Sequence, residues 1–390
     1  DILIDAGRQY RQVGSDVMAP KGDIDVLAQQ IAITEARETT ERTRETRFKQ
    51  TGFALTITNP VISAIQTSQQ MHDASKKTED GRMQALAAAT TALAVNNAAT
   101  AVAQDPGMAG GINISLSLGT KQQQSTTVQH SDAAAGSTIV AGNDVRLHAT
   151  GAGSDSDITV QGSDIRAGRD ASLVADGDIN LLAARNTSQQ DSDSKGSSAS
   201  VGIGFSLGGS RNGFTLDLGV SGNRGEADGD TLTHTNSHVQ AGNTASLISG
   251  GDTNLRGAVV SGQQVIADVG GDLNIESLQD TDTFKVDESS MGFGLSLCIP
   301  PFCAGVSSVS VDGASANFGG TNMDSDYASV TEQSGIKAGD GGFDVRVGGN
   351  TDLVGAVIAS SDKAVQDGNN RLVTASLTSS DIRNKAEYDA

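Results

Sequence analysis

Few residues have the types and spacing that chemistry requires. Gly204, Ser206 and Gly208 complete the G-x-S-x-G pattern of serine hydrolases. That chemistry needs the serine on a sharp strand-to-helix turn, with a histidine and an acid in reach. Ser206 stands instead in an alternating run, and Gly209, Ser210, Arg211, Asn212 and Gly213 follow it rather than a helix, so no nucleophile is expected. Asp191-Ser192-Asp193-Ser194-Lys195-Gly196 opens like an EF-hand loop, but Lys195 fills the fifth position and Gly202 the twelfth, where a carboxylate is required. His234 and His238, four residues apart, would share one face of a strand, yet no cysteine or paired acid completes a metal set. They read as an incidental surface pair. Neither a Walker loop nor a clean G-x-G-x-x-G occurs. No catalytic, cofactor-binding or metal-binding residue is assigned, and no cofactor is expected. One local constellation remains, Cys298-Ile299-Pro300-Pro301-Phe302-Cys303. Its two prolines suit a hairpin tip, and in a secreted protein a Cys298–Cys303 disulfide is the natural product.

Composition limits the elements that could position these residues. The 390 residues include 47 Gly, 5 Pro, 9 Phe, 3 Tyr and no Trp. A core without large aromatics must be thin and layered from Val, Ile, Leu and Ala, which a stacked, quasi-one-dimensional fold provides. The net charge of -20 repels phosphate backbones and argues against a nucleic-acid partner. The densest basic run, 37–49, alternates with Glu38, Glu41 and Glu45 and reads as a solvated face. The best candidate for a membrane helix, 83–104, is Ala-rich and contains Thr90, Thr91, Asn96 and Asn97, too polar to span. No signal peptide opens the sequence and Asp1 begins in mid-pattern, so an internal segment of a larger exported protein is expected.

Self-comparison reveals a repeat. Gly-[Asp/Asn]-x-[Asn/Asp]-aliphatic begins at Gly22, Gly177, Gly251, Gly271 and Gly349. A small residue followed by Gly precedes most copies, at Gly142, Gly168, Gly242, Gly262 and Gly339. The period is 20 residues from Gly251 to Gly271 and 26 from Gly142 to Gly168. Each unit reads as short strands broken at corners, where Gly tolerates positive φ and Asp or Asn bonds nearby backbone. Such coils bury their aliphatics only by stacking, about 4.8 Å apart. Val145, Leu147, Leu173, Leu181, Leu247, Leu255, Ile275 and Leu353 should point inward, and Asn180, Asn254 and Asn274 should form a ladder. Calcium binding is not expected, because the Gly-Gly-x-Gly-x-Asp tandem is absent.

The expected fold is therefore all-β dominated, a parallel β-helix with β-hairpin excursions and one Ala-rich helical hairpin. Coils are placed at 1–36, 136–185, 238–280 and 336–390, the last including the start of a further excursion. Excursions are placed at 37–135, 186–237 and 281–335, the last carrying the cysteines. Phe53, Leu55 and Ile57 alternate with small or polar residues in the first. The candidate membrane-contacting residues alternate in the same way: Ile112, Ile114, Leu116 and Leu118; Val201, Ile203, Phe205 and Leu207; Phe214, Leu216, Leu218 and Val220; and Phe293, Leu295, Leu297 and Ile299. Each run reads as a strand of about eight residues with one apolar and one Gly/Ser face. Segments 61–77 and 82–104, split by Glu79, Asp80 and Gly81, read as a helical hairpin.

Three stretches carry a family resemblance: Asp80-Gly81-Arg82-Met83-Gln84-Ala85-Leu86-Ala87-Ala88-Ala89, Gly110-Gly111-Ile112-Asn113-Ile114-Ser115, and Leu377-Thr378-Ser379-Ser380-Asp381-Ile382-Arg383-Asn384-Lys385-Ala386. In this order they resemble the second haemagglutinin repeat region of CdiA-type contact-dependent growth inhibition proteins, relatives of filamentous haemagglutinin. The resemblance implies a right-handed β-helix and a long filament at the bacterial surface, exported through an outer-membrane secretion partner. It further implies association with a target cell's outer membrane or its proteins and delivery of a C-terminal toxin lying outside these residues. No catalytic residue is implied here. The alternative is a purely structural or adhesive filament segment, as in a haemagglutinin-type adhesin.

Overall fold

The computed structural model describes residues 1–58, 68–69, 72, 91–92, 95, 112–207, 213–303 and 308–389. It has two parts, a solenoid of short parallel strands and a sheet of very long antiparallel ones. The helical hairpin expected over 61–104 lies almost wholly outside the described residues; the few described there, among them Ser68, Gln69, Thr91 and Ala92, are helical.

Each solenoid coil contributes three strands, and equivalent strands of successive coils pair in parallel. One column of side chains runs Val26, Leu147, Leu173, Leu247, Ala267 and Val345. A second runs Ile33, Val160, Leu181, Leu255, Ile275 and Leu353. A third runs Ile139, Ile165, Val239, Val260 and Ile336. These residues form the core and are nearly all fully buried, with Leu353 packed partly against it. Burying each Leu or Ile contributes about 1.5–3 kcal/mol, and no single coil could bury its own.

Polar ladders tie the corners. Asn254 Nδ2 donates to Asn180 Oδ1 at 2.9 Å and Asn274 Nδ2 to Asn254 Oδ1 at 2.9 Å. At the Gly-Asp corner, each Asp carboxylate accepts from the backbone N–H of its equivalent in the next coil, as Asp252 N to Asp178 Oδ1 and Asp272 N to Asp252 Oδ1, both 2.8 Å. The glycine of that motif is explained differently from the sequence expectation. Gly251 and Gly271 do not take positive φ. A Cβ there would stand 2.1 Å from Asp178 Oδ1 or Asp252 Oδ1, so close stacking of the carboxylate is what demands glycine.

All hairpins leave and return at one corner. The arms Ala36–Thr58 and Ile112–Ala135 follow the coil that ends at Thr34; Ala184–Leu207 and Gly213–Thr235 follow Leu182; Gln279–Cys303 and Ser310–Val330 follow Glu276. Between them come coils that turn directly, through Gly162, Gly257 and Gly355, with φ of +52°, +63° and +56°. A Cβ on Gly162 would also lie 2.5 Å from Ala184 Cβ, at the base of the second hairpin. Hairpin-bearing and direct coils thus alternate. Two coils rise about 9.6 Å, the width of the two strands of one hairpin, so neighbouring hairpins meet edge to edge. Ile112–Ala135 accordingly pairs with Ala184–Leu207, and Gly213–Thr235 with Gln279–Cys303. Lys385–Asp389 adds a seventh strand beside Ser310–Val330.

The strands are far longer than the apolar runs from which they were expected. Four of the six arms have 23 or 24 residues, the others 25 and 21. Beyond the apolar stripe they continue through Thr, Ser, Gln and alternating charges. Thr favours extended backbone, and ladder bonds to both neighbours hold the remainder without a core.

Candidate functional site

Directly opposed residues in antiparallel strands share a face, so register alone assembles the site. Phe53, Leu118, Val201, Leu218 and Leu295 form one row across five arms. Leu55, Leu116, Ile203, Leu216 and Leu297 form the row beyond it, farther from the solenoid. Phe205 opposes Phe214, their rings 5.0 Å apart and tilted. On the solenoid side, Val220 opposes Phe293, whose ring lies edge-on to Phe318 at 5.5 Å. Four alternating runs, scattered over nearly 200 positions of sequence, thus become one continuous apolar face on the distal part of the sheet.

That face is open to solvent. Phe53 is 78% exposed, Ile203 61% and Val220 54%. It dishes into a trough of about 850 Å³ lined by Leu118, Val201, Leu218, Val220, Phe293 and Leu295. Ile112, Ile114, Leu207 and Ile299 lie in the same strands, Ile114 opposite Phe205 and Leu207 opposite Ile112, with side chains outside the description. Sequence reasoning missed Met291 and Phe318, which extend the face because Met291 opposes Phe318. Met291 continues the alternation of Phe293, Leu295 and Leu297 by one more step toward the solenoid, and the register of the same hairpin's return arm adds Phe318. The opposite face carries Gly52, Gly119, Ser200, Gly219 and Gly294 in one row and Ala54, Ser117, Gly202, Asp217 and Ser296 in the next. Ser296 Oγ donates to Asp217 Oδ1 at 2.7 Å.

The motifs weighed for chemistry take structural places. Ser206 lies within a strand, opposite Gly213 and Asn113, and Asp191 to Gly196 lie in that same strand rather than in a loop. Cys298 is buried and disulfide-bonded, at the distal end of the third hairpin opposite Thr215. His234 and His238 are not incidental surface residues; both sit where hairpins join the solenoid. His234 Nδ1 lies 3.1 Å from Asp280, at the start of the third hairpin. His238 stands between two carboxylates, Nδ1 2.9 Å from Asp164 and Nε2 3.0 Å from Glu332. The hydrogen bond to Asp164 raises the His238 pKa, partial burial opposes it, and Glu332 adds to the rise. The same bond lowers the Asp164 pKa. Among the described residues no three His, Cys, Asp or Glu side chains gather to hold a metal ion. No helix among them is long and apolar enough to cross a membrane, which says nothing of strands.

A family model described as Hemagglutinin repeat matches residues 118–293. Across its whole length the chain is 38% identical to Toxin CdiA of Escherichia coli, covering 12% of that protein. The chain belongs to the CdiA-type haemagglutinin-repeat family. It is 33% identical to Deoxyribonuclease CdiA of Dickeya dadantii (strain 3937), with 99% of this chain and 11% of that one aligned. It is 35% identical to Deoxyribonuclease CdiA of Yersinia pseudotuberculosis serotype O:3 (strain YPIII), with all of this chain and 35% of that one aligned. No solved structure matches. The chain therefore spans a minor part of its CdiA relatives, and the matched region is their repeat.

Proposed function

We propose that this segment is non-catalytic and acts in association with a target cell's outer membrane and in delivery of a toxin carried elsewhere in the parent CdiA protein. One observation supports the reading above the others: five described arms align apolar rows, with Phe53, Leu118, Val201, Ile203 and Val220 among the exposed side chains, on a single distal face. A large exposed apolar patch on a water-facing sheet calls for a partner. Several side chains there would each gain about 1 kcal/mol or more on entering lipid, at about 25 cal/mol per Å². Lipid cannot satisfy a bare strand edge, so insertion would require the sheet to close, apolar face outward and Gly/Ser face inward. The parent would reach the bacterial surface through its outer-membrane secretion partner and meet the target there; nucleic acid is not a partner.

The test places Phe205→Asp, Leu216→Asp and Leu295→Asp together in the full-length protein. Surface display and target-cell attachment should persist while toxin delivery falls. Undiminished delivery would leave the sheet as a rib that only stiffens an adhesive filament.

A further inference from the structure

Below the apolar rows, toward the solenoid, the same face is banded by charge. One row reads Arg47, Gln124, Lys195, Arg224, Ser289 and Gly320, with three cations and no acid. The row on its distal side holds Lys49 and, at the far end, Met291 and Phe318. The row on its solenoid side reads Glu45, Thr126, Asp193, Glu226, Asp287 and Asn322, with four acids. From the tips inward, the order is apolar, cationic, anionic.

We propose that the row of Arg47, Lys195 and Arg224, with Lys49, is a docking surface for the phosphate-bearing headgroups of an anionic lipid membrane. The inference rests on the membrane reading above and adds what the membrane must carry. With the distal rows seated in acyl chains, the cationic row comes to headgroup level, where Lys and Arg gain from anionic lipid. All four cations are exposed. Arg47 and Arg224 pair with Glu45 and Glu226 of the same strand, pairs that are themselves exposed. Exposed pairs exchange partners readily, and a guanidinium has five donors, enough to hold a carboxylate on one edge and a phosphate on the other. The acidic row lies two residues, about 7 Å, farther from the membrane. At physiological salt, where screening acts over about 8 Å, a phosphate at the cationic row feels that row more than the chain's overall negative charge.

The experiment is co-sedimentation of the chain with phosphatidylcholine vesicles, with and without a minority of phosphatidylglycerol, at low and physiological salt. The unaltered chain should bind the anionic vesicles more tightly, by a margin that salt reduces. Arg47→Gln/Lys195→Gln/Arg224→Gln should lose that margin, about fivefold for each charge removed, and keep its binding to phosphatidylcholine. Arg42, Arg44 and Lys121 lie on the opposite face. Arg42→Gln/Arg44→Gln/Lys121→Gln removes the same charge there and should keep the margin. Equal binding of the unaltered chain to both vesicles, or an equal loss from the two triple variants, overturns the headgroup assignment and leaves the membrane reading standing. Binding to neither vesicle overturns the membrane reading, and the assignment with it.

Discussion

His238 facing a carboxylate from each ring nitrogen can donate to both only as the imidazolium. It joins a coil strand, through Asp164, to the returning base of the third hairpin, through Glu332. Its folded pKa lies above its ordinary value, so its contribution is complete below that value and is lost as pH rises through the raised one. The Asp164 contribution has the opposite sense, present above the ordinary carboxylate value and lost as pH falls through the lowered one. His238→Gln should therefore cost about 1–2 kcal/mol near about pH 5.5 and much less near about pH 9. Thermal melts of both proteins at the two pH values measure this, and a deficit independent of pH would contradict the clamp. Nothing in the sequence announced it, because Asp164 and Glu332 are 74 and 94 residues away and meet His238 only through coil register. The core was legible at this scale: Val145, Leu173, Leu181 and Leu255 lie buried as their spacing required. Leu255→Asp, a carboxylate without a partner in the dry stack, should cost about 4 kcal/mol or more by the same melts.

At the scale of elements, alternation of hairpin-bearing and direct coils is the organising device. Repeating glycines marked the coils in the sequence, but a Gly-Ser step does double duty that spacing could not reveal. Ser137 N donates to Ser163 Oγ at 3.0 Å and Ser163 N to Ser237 Oγ at 3.3 Å, a buried serine ladder at the corner the hairpins share. Gly162, beside it, needs both positive φ and a missing Cβ. Gly162→Val should cost about 1–3 kcal/mol for backbone strain alone, more with the Ala184 contact. Gly151 also has positive φ, but nothing lies within 4 Å of a Cβ placed there. Gly151→Val should therefore carry the backbone strain without the clash, and a melting shift equal to that of Gly162→Val would contradict the packing argument. The Cys298–Cys303 loop belongs to the third hairpin, far from the coils. Cys298→Ser/Cys303→Ser should remove roughly 2 kcal/mol of local constraint and leave solenoid melting unchanged, while alkylation of the unreduced protein should add no group detectable by mass spectrometry.

For the whole molecule, a solenoid with excursions could be read from glycine periodicity and from eight of nine phenylalanines lying outside the coils. The single face could not. The basic run at 37–49 read as one solvated surface, but strand alternation sends Arg42 and Arg44 to one side of the sheet and Arg47 and Lys49 to the other. Lys195 and Arg224 join the latter pair only because two coils rise by the width of one hairpin. Under the proposed function the distal face enters lipid while the inner band stays outside it. The chain has no tryptophan, so a single introduced indole reports its own position. Phe214→Trp marks the distal face and Thr43→Trp the inner band of the same face. With vesicles carrying brominated acyl chains, the indole at 214 should shift to the blue and be quenched, while that at 43 keeps its emission. An unquenched indole at 214, or equal quenching at both positions, would contradict the account.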